Sequence, residues 1–214
     1  MAIFNPSNQL LQIDTGSTRT FLKNTAQTTT NINTYPGIGE NQVLGQLYYG
    51  VTNQTATNPS GSPAIFMLVQ YLSTSAITTA NLTTAAAPAP VYWTDNTFTT
   101  VTGITTEGIG GTTLGLAFPA GFMMPNTVSL PNLTAAQLLG SQMFIQIGGY
   151  LKGAYCSGSS NPGIGSWLVP VAGTLSMNSI AAGSSTTYQP FGIQLTALAS
   201  GLCDVLVNSG NLLQ

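Results

Sequence analysis

The chain has 214 residues, and only eight of them, or 4%, carry a formal charge; three are basic, five are acidic and none is histidine. Because acid–base, metal and phosphate chemistry use clusters of His, Asp, Glu, Lys, Arg or Cys, this composition predicts neither a catalytic site nor a metal or cofactor site. The net charge of −2 also argues against nucleic acid as a partner and against a polybasic membrane anchor.

A polar chain with almost no charge is expected to associate with other proteins. Repulsion between copies is weak near zero net charge, while an apolar content of 43% is enough for a folded core. We therefore expect contacts made by hydrogen bonds and apolar packing, which depend weakly on salt. No apolar run reaches the roughly 18–20 residues of a membrane span, and the N-terminal sequence lacks the basic and apolar regions of a secretory signal.

Residues 1–40 predict an extended N-terminal arm. Asn, Gln, Thr and Ser are in excess there, and the sparse apolar residues show no helical period. A stretch of about 30 residues at about 3.3 Å per residue spans roughly 100 Å, and an unpaired backbone suits strand addition to a neighbour. We predict that four residues of the arm contact the partner: Arg19, Phe21, Leu22 and Lys23.

Residues 41–214 predict a β-rich body of short strands between turns. Residues 43–49 predict its first strand. The nearly continuous apolarity of 64–72 predicts a strand that is buried on both faces. The prolines of 85–90 argue against a central strand there, because each removes a donor from the ladder.

The middle of the body contains a predicted hairpin and the one predicted helix. Residues 91–94 and 97–102 flank Asp95, a residue type that is common in turns. Residues 113–118 predict a further strand. Residues 132–139 predict a short helix, since they have a capping residue, good helix formers and a glycine stop.

The last third of the chain has the most regular pattern. Residues 143–152 predict a strand in which a glycine pair marks a bulge or sharp bend. Residues 192–198 alternate in polarity, with every second residue on one face: Ile193, Leu195 and Ala197. Further strands are expected at 167–172 and 203–207. The fold class is therefore all-β, a short-stranded barrel or sandwich body with at most one short helix, which can divide into subdomains at 41–130 and 141–214.

Two cysteines cannot define a disulfide framework. Cys156 and Cys203 both lie in strand-like segments, so we expect two half-buried thiols. A bridge between them requires Cα atoms within about 7 Å, a distance that sequence spacing does not determine.

A short motif around Asp14 resembles the active-site loop of aspartic proteases. An apolar residue precedes Asp-Thr-Gly-Ser at 14–17, and a homodimer can pair two such loops so that their carboxylates share a proton. The motif is short and is built from turn-forming residues, and no second Asp-Thr/Ser-Gly is present. A turn is therefore the favoured interpretation, and the homodimeric protease is a remote alternative.

Aromatic residues are frequent on the strand-like segments. Packing in the core and between strands explains most of them. A face of exposed Trp and Tyr can also bind sugars, so a receptor- or carbohydrate-binding module is the alternative function.

Six segments carry a resemblance to proteins encoded among the head genes of tailed bacteriophages: 89–95, 97–102, 106–108, 114–118, 143–149 and 191–207. The last of these is similar to the closing hairpin of small β-rich capsid decoration proteins. The similarity covers roughly residues 89–207, and the arm is outside it.

The resemblance implies a capsid decoration, or cement, protein. Such proteins are β-rich, often homotrimeric and without catalytic residues, and they bind the major capsid protein across the joints between coat subunits. The expected location is the outer surface of the virion, after synthesis in the host cytoplasm. This chain is then a structural protein and not an enzyme.

Overall fold

The computed structural model describes residues 10–12, 22–23, 44–52, 57, 60–72, 88–103, 118–123, 142–156, 162–170, 177–182 and 190–208. Most of these residues lie in strands and none lies in a helix, which confirms the all-β prediction. Among them, no helix is long and apolar enough to cross a membrane. The predicted helix at 132–139 is outside the described residues.

All the described strands belong to one sheet. They are β1 Leu10–Gln12, β2 Leu22–Lys23, β3 Leu47–Thr52, β4 Ser62–Tyr71, β5 Ala89–Trp93, β6 Thr100–Thr102, β7 Pro119–Met123, β8 Gln142–Tyr155, β9 Trp167–Pro170, β10 Met177–Ile180, β11 Gly192–Gln194 and β12 Leu202–Asn208.

Five of these strands close into a ring, the arrangement of a small barrel. β4 pairs with β6, β6 with β5, β5 with β7, β7 with β8, and β8 pairs again with β4. The β4–β6 contact is parallel, and the other four are antiparallel. The ring therefore depends on one short parallel pairing, Gln70 with Thr100 and Tyr71 with Val101.

The ring strands are buried on both faces, as the apolar run at 64–72 predicts. In β4, Met67 and Val69 pack inside the ring, while Phe66 and Leu68 pack on its outside. Every residue of β5 and of β7 is buried. Successive side chains of a strand point to opposite faces, so one strand contributes to two cores.

A second layer of strands covers the outside of the ring. The sheet continues from the end of β8 through β12, β11 and β9 to β10. The Cys156 thiol, just after β8, donates to the Met177 carbonyl of β10 at 3.1 Å, so the layer curls back towards its start. Its apolar side chains share a core with Phe66, Leu68 and other outward residues of the ring.

The glycine pair of β8 lies at a bulge, which confirms the prediction. Ile65 pairs with Gly148 and Phe66 with Gln146, so Ile147 is the extra residue. Gly149 adopts a positive φ of 89°. The bulge lets β8 pair with β7 before it and with β12 after it.

The prediction against a central strand at 85–90 is wrong for its last two residues. β5 begins at Ala89, and Pro90 pairs with Phe122 of β7. The Trp93 amide donates to the Phe118 carbonyl on the β7 side at 3.0 Å. Because backbone groups alternate along a strand, the nitrogen of Pro90 points away from β7, and its missing hydrogen leaves that ladder intact.

Two short segments of the arm pair with the body. β1 lies parallel to β3, and β2 lies antiparallel to β8, where Leu22 is opposite Met143 and Lys23 is opposite Gln142. The other residues of the arm are outside the described ranges. The division of the body at 130–141 stays a prediction, although β4 and β8, from its two sides, are paired from Ala64 to Gln70.

The predicted hairpin at Asp95 is confirmed. β5 and β6 pair antiparallel, and the Asp95 carboxylate closes the turn between them. Its Oδ1 accepts from the Thr97 amide at 2.9 Å and from the Thr97 hydroxyl at 2.6 Å, and its Oδ2 accepts from the Thr100 hydroxyl at 3.0 Å. The hydrogen bond from the Thr97 side chain is the main cause that holds the pKa of Asp95 below its ordinary value.

This turn makes stability depend on pH. The folded pKa of Asp95 lies below the unfolded value of about 3.9, so its contribution is complete above that value and is lost as pH falls through the folded pKa. We expect the thermal midpoint of the native protein to fall more steeply from pH 5 to pH 2 than that of Asp95→Asn. Circular dichroism at each pH gives both midpoints, and parallel curves would contradict the expectation.

Both cysteines are free and buried. They are more deeply buried than the half-buried thiols that the sequence predicts, because both belong to the core between the ring and the second layer. A hydrogen bond to Cys156, together with burial, raises the pKa of the Cys203 thiol. As free thiols, the two cysteines contribute to the packing of this core.

Candidate partner-binding surface

An apolar row crosses the outer face of the second layer. Four register pairs define it: Ile180 with Trp167, Trp167 with Ile193, Ile193 with Leu206, and Leu206 with Tyr150. Residues directly opposite one another on paired strands place their side chains on the same face. Five strands, β10, β9, β11, β12 and β8, thus each contribute one apolar residue to this outer row.

The burial pattern shows that the outer row points away from the core. Ile193 is 36% exposed and Leu206 is 44% exposed, while their neighbours along each strand are buried. The three remaining members, Ile180, Trp167 and Tyr150, are partly buried. A sheet face on water normally carries polar side chains, so an apolar row there marks a surface that is suited to a partner.

The alternation predicted for 192–198 is present in β11, but its apolar residue faces solvent. Of the three residues predicted to share a face, only Ile193 lies in the strand. The polar neighbour Gln194 is buried instead. Its Oε1 accepts from the Ser179 hydroxyl at 2.7 Å, and its Nε2 donates to the Thr196 carbonyl at 2.7 Å. These hydrogen bonds permit Gln194 to face inward.

A second bulge in β8 fixes one end of the outer row. Cys203 pairs with Ala154 and Val205 with Leu151, so β8 contains one residue more than β12 between these pairs. The Asp204 carboxylate accepts from the Gly153 amide at 2.9 Å. A bulge removes one backbone donor from the ladder, and here a side chain satisfies it.

The same carboxylate holds Tyr150 in place. The Tyr150 hydroxyl donates to Asp204 Oδ2 at 2.6 Å. Burial, the hydrogen bond and the nearby negative charge raise the pKa of Tyr150 to about 12. The phenol is therefore a neutral donor at ordinary pH, and its ring is a rigid end of the apolar row.

Polar side chains border the outer row on the same face. Asp204 and Asn208 flank Leu206 along β12, and Lys152 follows Tyr150 along β8. Lys152 is exposed. An apolar centre with a polar border is the usual composition of a protein interface.

Other apolar residues are exposed outside the outer row. Leu47 and Tyr49 of β3 alternate with the buried Tyr48. Ile164 is 71% exposed at the tip of the turn before β9, between two glycines with positive φ, Gly163 and Gly165. The turn is held because the Gly165 amide donates to the Gln194 carbonyl at 2.8 Å.

Only part of the predicted contact set lies among the described residues. The backbones of Leu22 and Lys23 form β2, whereas Arg19 and Phe21 are outside the described ranges. Asp14, the centre of the protease alternative, is outside them as well. The predicted contact set and the outer row share no residue.

The described residues do not offer a metal site. No group of three His, Cys, Asp or Glu in the described ranges is placed to hold a metal ion. The two described carboxylates serve separate backbone features, Asp95 in the β5–β6 turn and Asp204 in the β8 bulge. What the described surface offers a partner is apolar area with a polar border.

Sequence reasoning did not find the outer row, because the row depends on register between distant segments. One local signal was available: Val205, Leu206 and Val207 are consecutive apolar residues, so β12 has apolar side chains on both faces. Comparison with known proteins adds no further assignment, since no family model, curated protein or solved structure matches this chain.

Proposed function

We propose that this chain is a structural protein of a tailed bacteriophage virion. In this proposal it is a capsid decoration, or cement, protein that binds the major capsid protein across joints between coat subunits, from the outer surface of the head. It acts as a homotrimer after synthesis in the host cytoplasm. The observation that carries the proposal is an all-β body with few charges and an apolar row on its outer face.

The proposed mechanism is mechanical. Each copy buries surface against two coat subunits, at about 800 Å² per partner for an interface of standard size. Copies linked in one oligomer bind together and gain avidity. The arm adds its backbone to a neighbouring strand, and Arg19 and Lys23 supply its positive charges. A coat joint held at several points resists opening of the head.

The carbohydrate-binding alternative is less well supported by the outer face. Sugar platforms need exposed aromatic rings, but Trp167 and Tyr150 are separated by Ile193 and Leu206. Three strand spacings put about 14 Å between the two aromatic positions. The Tyr150 hydroxyl is also already bonded to Asp204. This row suits a flat protein surface better than a sugar ring.

The test is binding of the purified full-length protein to heads that lack it. We expect electron microscopy to show many symmetric copies on the outer surface and heads that resist heating longer. Arg19→Glu with Lys23→Glu should bind about tenfold more weakly, a loss of about 1.4 kcal/mol. The matched control, Arg19→Lys with Lys23→Arg, should bind normally, and circular dichroism should show the same β content in all three proteins.

The outcomes separate the candidate functions. Many copies over the coat joints support decoration, whereas a few copies at one vertex indicate a fibre or tail module. No binding to the head rejects the proposed function. Full occupancy by the double Glu variant rejects the role of the arm charges and leaves decoration in place.

A further inference from the structure

We propose that the outer row, formed by Ile180, Trp167, Ile193, Leu206 and Tyr150, is a contact between copies of this chain. The inference rests on the assembly part of the proposed function and deepens it by naming the face that self-associates. Its first support is geometric. Five adjacent strands at about 4.8 Å spacing make a row that is about 19 Å long.

The second support is the apolar surface of the outer row that a complex would remove from water. Ile193 and Leu206, at its centre, have the largest exposed fractions of the five residues. The aromatic rings of Trp167 and Tyr150 lie on either side of them. Interface centres are enriched in aromatic residues and poor in charge, and this row has both properties.

The third support identifies the occupant by charge. Lys152 of β8 and Asp204 of β12 lie on neighbouring strands beside the outer row, so the described part of this face carries one positive and one negative side chain. This face has no net charge that would complement a strongly basic or a strongly acidic partner. A second copy presents the same pair, and Lys152 of one copy can approach the carboxylate of the other.

The charge of the whole chain agrees with this occupant. Its net charge is −2, so two or three copies repel one another weakly. The pair of Lys152 and Asp204 constrains how two copies are oriented, because like charges must be kept apart and opposite charges brought together. Both a pair of copies and a ring of three satisfy this condition.

Sedimentation velocity of the full-length protein tests the inference. At about 100 µM protein we expect the native chain to be oligomeric. Leu206→Asp should sediment as a monomer with unchanged circular dichroism. Leu72→Asp is the matched control: Leu72 is 43% exposed against 44% for Leu206, but it lies beyond the far end of β4. This control should remain oligomeric.

A second variant keeps the test decisive if Leu206→Asp does not fold. Lys152→Glu changes an exposed side chain and places two negative charges on the face, so we expect association at least tenfold weaker, with partial recovery at high salt. Lys152→Arg should associate normally. A monomeric native protein overturns the inference, as does a folded Leu206→Asp or Lys152→Glu that associates like the native chain.

Capsid binding measured on the same variants distinguishes this inference from the proposed function. A native chain that binds heads but stays monomeric in solution contradicts the self-contact and the homotrimer, and it leaves binding to the capsid standing. A native chain that associates through the outer row but does not bind heads supports the self-contact and rejects decoration.

Discussion

Gly149→Ala is expected to destabilise the protein by at least about 3 kcal/mol, a large share of the roughly 5–15 kcal/mol that keeps a domain folded. An added Cβ would lie 2.2 Å from the Pro63 carbonyl oxygen and 2.9 Å from the Ala64 Cα. Both obstacles are backbone atoms of β4, which cannot rotate away. Gly149 also has a φ of 89°, where an L-residue is strained.

Two further glycines separate the causes of this effect. Gly153 has a φ of 65° and no atom within 4 Å of an added Cβ, so Gly153→Ala tests backbone strain alone at about 1 kcal/mol. Gly192 does not have a positive φ, but its Cβ would lie 2.2 Å from the Leu206 carbonyl oxygen. Gly192→Ala therefore tests the steric clash with the neighbouring strand alone, and we expect a destabilisation of roughly 2 kcal/mol.

Urea unfolding of the three variants, followed by circular dichroism, gives the three free energies. The expected order of destabilisation is Gly149→Ala, then Gly192→Ala, then Gly153→Ala. Equal losses at Gly149 and Gly153 would mean that the approach of Pro63 is not a constraint. The β8 bulge would then tolerate a side chain at position 149, and it would not fix the position of β4 against β8.

Local patterns predicted the strands that are buried on both faces and the turns between neighbours. The run at 64–72 is β4, the glycine pair is the β8 bulge, and Asp95 closes the β5–β6 hairpin. Each of these depends on residues close together in the chain. Strand identity and turn chemistry are readable in such cases because the physical cause is local.

Ring closure was not readable, because its pairs are far apart in the chain. The parallel contact of Gln70 with Thr100 joins segments 30 positions apart, and nothing at either position specifies the other. Proline was misleading for a related reason. Whether Pro90 breaks a ladder depends on which side of β5 its nitrogen faces, and that is a property of the assembled sheet.

The candidate surface could not be predicted from the sequence for the same reason. Its members come from 150 to 206 in the chain and meet only through the register of five strands. Composition pointed to a protein that associates, and it located the contact in the arm. The described body adds a second candidate surface, which composition could not place because Ile193 and Leu206 resemble core residues in sequence.

Phe191→Ala is expected to lower the free energy of unfolding by about 3–5 kcal/mol by opening a cavity in the core between the ring and the second layer. Phe191 is fully buried just before β11, and its ring meets Tyr92 edge-on at 5.4 Å and Phe122 at 5.2 Å. Those two residues belong to β5 and β7 of the ring. The side chain thus joins the second layer to the ring, and its removal leaves a cavity between them.

The two tryptophans report on the two parts separately. Trp93 is buried inside the ring and Trp167 lies in β9 of the second layer, so Trp93→Phe and Trp167→Phe backgrounds each leave one tryptophan. Because β4 and β8 contribute side chains to both cores, we expect one cooperative transition in each background, coincident with circular dichroism.

Phe191→Ala should move that transition to lower urea without splitting it. Leu72→Ala, at an exposed position outside the outer row, should cost under about 1 kcal/mol. A variant in which Trp167 responds at lower urea than Trp93 would show that the ring folds independently of the layer that covers it.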